Sequence, residues 1–175
     1  MARSKTARRK TKKIKNSSVE TTPEPTTEQK FAIFSVGKEM FGIDLDMILE
    51  TLYTYHVIPV EHLPETYKGI IKLKGKSIPV VMLRELLNED TPVSSMQVCI
   101  IIRVGDSRVG LLVDSDIEII PSTTGTLHAL PDCYSRDEAE FITNILWLEQ
   151  SFIGILDCRR MMEILAGWKE EHEAS

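Results

Sequence analysis

Apolar residues along this chain come in short alternating runs bounded by glycine, proline and polar turn-formers, the pattern of many short strands. Phe31, Ile33 and either Ser35 or Val36 open a strand, Gly37-Lys38-Glu39 turns it, and Met40-Phe41-Gly42-Ile43 returns. Leu45, Ile48, Leu49 and Leu52 fall at helical spacing behind Asp44 or Asp46. That predicts a short capped helix with Glu50 off its apolar stripe and exposed. Tyr53 to Val60, β-branched and aromatic, predicts another strand ending at Pro59. After a loop at Leu63 to Tyr67, Ile70, Ile71 and Leu73 precede Lys74-Gly75-Lys76, and Ile78, Val80, Val81 and Leu83 follow it. These are two strands meeting at a sharp corner, with a short helical exit from Leu83 to Asn88.

A second set begins at Val98 to Val104, turns at Gly105-Asp106, returns through Val109 to Val113 and continues from Ile117 to Pro121. Residues 122–140 are polar and predict a long loop. Phe141 to Leu148 and Phe152 to Leu156 form a last hairpin, and Asp157 caps a closing helix whose Met161, Met162, Ile164 and Leu165 pack inward before Gly167 ends it. Many strands, few helices and little βαβ alternation indicate a mainly β protein built of barrels. The expected shared core comprises Phe34 or Ile33, Phe41, Val80, Leu83, Ile101, Leu111, Ile145 and Leu156.

Charge divides the chain. Residues 1–15 hold Arg3, Lys5, Arg8, Arg9, Lys10, Lys12, Lys13 and Lys15 and no acid, leaving 13 basic against 26 acidic residues beyond them. The formal net charge of −5 is thus an arm near +8 on a body near −13. Residues 1–29 turn from this basic run to Ser, Thr, Glu and Pro with almost no large apolar group, which predicts a disordered arm and linker. Such an arm can bind polyanions weakly through charge, rest on the acidic body, or only aid solubility. Residues 168–175 read as a polar tail.

Cys99, Cys133 and Cys158 are an odd set without Cys-x-x-Cys, expected as buried thiols of a reduced, cytoplasmic protein. The apolar runs are too short to span a bilayer, and no secretory signal is expected. His56, His62, His128 and His172 stand singly, so no metal site is expected. No nucleophile elbow or phosphate-cradling loop is present, and Asp114-Ser-Asp116 reads as a strand end rather than an acidic pair. No catalytic residue, cofactor or small-molecule substrate is indicated. Lys72, Lys74 and Lys76 crowd one turn around Gly75, which fits an edge strand kept soluble by lysine.

That corner has a second reading. Gly69, Leu73, Gly75, Pro79, Val80, Leu83 and Arg84 match a glycine, two apolar residues, Asn-Leu-Arg-Gly, then Pro-Val-x-Asp-Leu-Arg, and so the stretch resembles the signature of CheW-type chemotaxis coupling proteins. Upstream, Phe31 to Gly37, Phe41-Gly42-Ile43-Asp44 and Ile48-Leu49-Glu50 resemble the family's opening hairpin, Tyr-Gly-Val-Asp and Val-x-Glu. Downstream, Arg108 to Asp114 and Ile153 to Arg160 resemble its later strands. The resemblance implies a domain over residues 30–167 of two five-stranded SH3-like barrels on a shared core, roughly 45–90 and 98–150, completed by the terminal segments. It implies an adaptor, not an enzyme, that joins the cytoplasmic tip of chemoreceptors to the regulatory domain of a CheA-type histidine kinase in membrane-associated arrays. Carried over, the partner-binding residues are Ile48, Glu50, Gly69, Lys72, Lys74 and Gly75. Lys72 stands for the family's asparagine, Lys74 for its arginine and Met82 for its aspartate. Such departures fit a divergent member serving a non-standard receptor or motility pathway. The rival, from another class, is a barrel protein that binds nucleic acid or anionic membrane through its arm.

Overall fold

The computed structural model describes residues 28–131 and 140–173. The opening hairpin is β1 (Lys30–Val36) and β2 (Glu39–Asp44). A single 3-10 turn, Leu45–Met47, follows, with Asp44 Oδ1 accepting from Asp46 N at 3.0 Å, and leads into β3 (Ile48–Leu52). Next come β4 (Tyr67–Leu73), β5 (Lys76–Met82) and the one-turn helix α1 (Leu83–Leu86). Then follow β6 (Val98–Val104), β7 (Ser107–Val113), β8 (Glu118–Pro121) and β9 (Thr126–Ala129). The last hairpin is β10 (Ile142–Leu148) and β11 (Ser151–Leu156), closed by α2 (Cys158–Glu173).

Two sheets result, a six-stranded one in the order β8-β1-β2-β11-β10-β9 and a five-stranded one in the order β3-β6-β7-β5-β4. The mainly β class and the paired sheets agree with expectation, but the strands are shared out differently. The β6–β7 hairpin, expected to open the second barrel, pairs into the first through parallel β5–β7 contacts, Val80 opposite Gly110. The opening hairpin joins the second through parallel β2–β11 contacts, Phe41 opposite Gly154. Ranges 45–90 and 98–150 therefore do not mark the two units.

Other local expectations are corrected too. Residues 48–52 form a strand, not a helix: so short a run of leucines and isoleucines fits both periods, and pairing of Leu52 with Cys99 and Glu50 with Ile101 decides it. Tyr53 to Val60 is not a strand but meets β4 at one bridge, Ile58 to Ile70, because Pro59 cannot donate to a ladder. The loop expected over 122–140 contains β9, whose four residues are all exposed, so that the alternation of Leu127 and Ala129 with Thr126 and His128 is too short to mark a strand by itself. Helix α2 runs through Gly167, since a helical glycine costs only about 1 kcal/mol relative to alanine.

The core is threefold. Phe34, Phe41, Ile100, Leu111, Leu156 and Met161 are among the residues of a cluster shared by both sheets and the helices. Phe31, Ile33, Leu146 and Ile153 fill the six-stranded unit, and Ile71, Ile78, Val80, Cys99 and Ile101 the five-stranded one. All nine residues expected in the core are buried, though Ile33, Val80 and Ile101 belong to the separate interiors and Ile145 to none of the three clusters. Strand β6 explains its unbroken apolar run: Val98, Ile100 and Ile102 enter the shared core while Cys99 and Ile101 enter the barrel. Burial pushes the thiols of Cys99 and Cys158 up to about 12, so both are inert; Cys133 lies outside the described residues.

A buried ion pair joins the sheets. Arg84 Nη2 donates to Asp114 Oδ2 at 2.8 Å, with side-chain exposures of 7% and 6%. The same oxygen accepts from Gly37 N at 2.8 Å, and Arg84 Nη1 donates to Thr91 O at 2.5 Å. Gly37 is needed there: its φ is +61°, and a Cβ would fall 2.4 Å from Glu89. Burial works to raise the carboxyl of Asp114, but the Arg84 and Gly37 hydrogen bonds and the Arg84 charge outweigh it and hold the group below its ordinary 3.8. A depressed folded-state value means that the pair's stabilisation is whole above that ordinary value and is lost as pH falls through the lower, folded one. Asp114→Ala should cost about 3–5 kcal/mol near neutral pH by stranding Arg84. In denaturant titrations the gap between the two proteins should narrow as the medium becomes acidic enough to protonate Asp114; a pH-independent gap would exclude the pair as its source.

Candidate functional site

The β4–β5 hairpin turns on two residues, Lys74 at φ 50° and Gly75 at φ 77°. Two consecutive positive φ values match the right-handed twist of the strands, and glycine takes the second without strain. Nothing lies within 4 Å of a Cβ built on Gly75, so the tip is open. Lys74 is the residue that the turn lifts into solvent.

Strands β3 and β4 are the two edges of the five-stranded sheet. Curling brings them together, and Lys74 Nζ at the tip of β4 lies 2.8 Å from Glu50 Oε2 on β3. The two side chains are 76% and 34% exposed, so the pair contributes at most about 1 kcal/mol to folding. Glu50 is thus half-buried, not free as expected, because it stands on a strand face beside Ile101. The pair is available to a partner: lysine can donate to an incoming carboxylate or carbonyl, and Glu50 can accept from an incoming donor.

The remaining nominated residues do different work. Gly69 is buried with φ 143°, and a Cβ there would meet Ile58 O at 2.3 Å. It lets the segment at Ile58 approach β4, where Ile58 N donates to Ile70 O at 2.7 Å and Ile70 N to Ile58 O at 2.9 Å. Ile48 is half-buried against the shared core, and Lys72 is exposed on β4. Met82, in place of the family's aspartate, packs partly buried against the barrel interior. Residues 3–15 of the arm lie outside the described residues.

Two surfaces were not nominated from the sequence. A groove of about 670 Å³ runs between the outer face of the six-stranded sheet and α1, lined by residues that include Phe41, Leu86, Phe141, Ile145 and Phe152. At its rim Trp147 and Phe152 are 48% and 63% exposed with ring centroids 5.4 Å apart. The sequence places both in the last hairpin without assigning them a face; their position beside the β10–β11 turn was the available signal. The second surface is a set of cations on the β6–β7 hairpin, Arg103 and Arg108, directly opposite one another. Among the described residues no group of histidine, cysteine and acidic side chains could hold a metal ion.

A family model described as the CheW-like domain matches residues 30–165. The chain belongs to the CheW-like family. It is 24% identical over 138 residues to the chemotaxis protein CheW of Klebsiella aerogenes, covering 78% of this chain and 83% of that one. To the chemotaxis protein CheW of Treponema pallidum it is 25% identical over 146 residues, covering 79% and 86%. The crystal structure of the scaffolding protein TtCheW from Thermoanaerobacter tengcongensis matches with a TM-score of 0.66 at 25% identity, over 74% of this chain and 89% of that one. In this CheW-like domain the signature glycine closes a barrel and the signature lysine stands at its open corner. Gly69→Ala should therefore cost about 1–3 kcal/mol of stability through backbone strain and crowding. Chemical denaturation would measure it, and an unchanged midpoint would mean that the Ile58 segment moves away freely.

Proposed function

We infer that this protein is a non-catalytic adaptor of chemotaxis signal transduction, coupling chemoreceptors to a CheA-type histidine kinase, with Lys74 and Glu50 at the partner surface. The observation that carries the site is their meeting across the barrel edges at a solvent-exposed corner. Membership of the CheW-like family and likeness to a scaffolding protein support the adaptor role. An adaptor needs exposed groups that exchange intramolecular for intermolecular bonds at little cost, and an exposed pair on a rigid hairpin offers that. Lysine keeps the charge of the family's arginine but not its planar fork, so it meets an acceptor as a point charge. Recruitment to receptor arrays through these contacts follows from the same reading. Among the described residues no helix is long and apolar enough to cross a membrane.

Lys74→Glu sets two carboxylates side by side and should move stability by no more than about 1 kcal/mol. At a partly desolvated interface it should remove about 2 kcal/mol or more of binding to receptor tip or kinase regulatory domain. Affinity titrations beside a thermal melt read both. Lys74→Arg tightens binding if the receptor keeps the family's ordinary acceptor, and is neutral or worse if the receptor has changed with the adaptor. Unchanged affinity in Lys74→Glu returns the corner to an edge kept soluble by lysine.

The arm adds a second, weaker contact. Eight cations without an acid in residues 1–15 favour sequence-independent polyanion binding. The comparisons support the adaptor and lend nothing to the rival in which this arm is the sole binding element. Deletion of residues 1–29 should leave kinase and receptor affinity intact, and arm binding to heparin or duplex DNA should fall steeply as salt rises; salt-insensitive binding would make the arm a specific reader.

A further inference from the structure

The body of this protein is strongly acidic, yet five of its 13 basic residues, Lys72, Lys74, Lys76, Arg103 and Arg108, lie on two hairpins. The β4–β5 and β6–β7 turns leave the sheet at the same end, because β5 and β7 run parallel in register. Strand alternation then sets the faces. Leu73 pairs with Lys76, Ile101 with Gly110 and Arg103 with Arg108, so Lys76, Arg103 and Arg108 continue the face that carries Ile78, Ile101 and Leu112 inside the barrel. They form a collar at the barrel end, beside the Lys74–Glu50 corner. Lys72, Lys76 and Arg103 are exposed and Arg108 half-buried.

Among the described residues, none of Lys72, Lys76, Arg103 and Arg108 makes an ion pair. Against them stand Glu50, already paired with Lys74, and the exposed Asp46 and Asp106. Like charges directly opposite on neighbouring strands destabilise a sheet, so Arg103 facing Arg108 works against folding. Cations gathered at one end of an acidic body, unpaired and mutually repelling, have a use only when a negative partner arrives.

We propose that this end of the five-stranded barrel docks an acidic segment of the chemoreceptor tip, with Lys76, Arg103 and Arg108 binding carboxylates that flank the group met by Lys74. The proposal rests on the adaptor reading and supplies the partner's chemistry. Charge complementarity carries it: beyond the arm the chain is strongly acidic and repels such a segment, and the collar is a cluster of cations on that body that attracts it.

The test is receptor-tip affinity of the full chain across a salt series, with the kinase regulatory domain and a decaglutamate peptide as further probes. Lys76→Glu with Arg103→Glu should weaken receptor-tip and peptide binding about tenfold or more at low salt and make its salt dependence shallower, the arm's own share being left in place. The neutral pair Lys76→Gln with Arg103→Gln should show a smaller loss in the same direction with an equal or higher melting temperature, which guards against a misfolded double reversal. A change below about twofold in both variants, while Lys74→Glu still abolishes binding, overturns the collar and leaves the adaptor reading standing. No effect from any variant, Lys74→Glu included, removes both. Tighter binding after reversal means a basic partner, and loss confined to the kinase domain means the wrong partner; either result overturns the proposal.

Discussion

One buried ion pair holds the architecture in register. Arg84 sits on α1 just past β5, Asp114 directly follows β7, and the Asp114 carboxylate, bound by Arg84 and by Gly37 N, reaches the turn of the opening hairpin in the other sheet. Asp114 N also donates to Ser35 O at 3.0 Å, and Ser35 N to Ser115 Oγ at 2.8 Å. Taking two charges out of water is costly, and the attraction regained offsets it only when the remaining bonds are made. Here most are, although Arg84 Nε has no partner. What such a pair supplies is one relative placement of two sheets that apolar packing alone would leave free to slide, since dispersion and burial have no direction.

From that placement the cores follow. Strands β6 and β7 bury both faces, one against the other sheet and one inside their own barrel. A sheet that buries one face within itself must curl, because a flat sheet cannot cover its own side chains. Curling is what brings β3 to β4, and with them Glu50 to Lys74. The Ile58 bridge and the missing Cβ of Gly69 finish the closure. The Lys74–Glu50 corner is therefore a product of barrel closure, and substitutions that open the barrel will disturb it without touching either residue.

The surface divides between groups that serve the fold and groups that do not. Gly69 and Arg84, both in the signature stretch, are buried and structural, whereas Lys74 and its neighbouring cations contribute almost nothing to stability. Such a division leaves Lys74 and its neighbouring cations open to substitution while the scaffold persists. Trp147 and Phe152 are a second exposed feature that packing does not explain, with Phe152 lining a groove bounded by α1.

Much was legible in the order of residues. The opening hairpin, the Lys74-Gly75 corner, the apolar runs of β6, β7, β10 and β11 and the Asp157 cap depend on neighbours within a few positions, where alternation, glycine and capping act directly. The order of the signature pieces carried the family. What the order could not contain was pairing at a distance. Helical spacing at Leu45, Ile48 and Leu49 gave way to a strand because β6, some fifty positions on, offered hydrogen bonds that a local pattern cannot register. The parallel contacts that distribute hairpins between the sheets are of the same kind. So are the meetings of Glu50 with Lys74 and of Arg84 with Asp114: each residue alone reads as a solvated charge or a turn former. The sequence by itself determined which segments are strands' worth of apolar surface and which family they compose. Tertiary structure alone decided which edges close on one another, because a hydrogen bond or ion pair needs two partners and the chain names only one at a time.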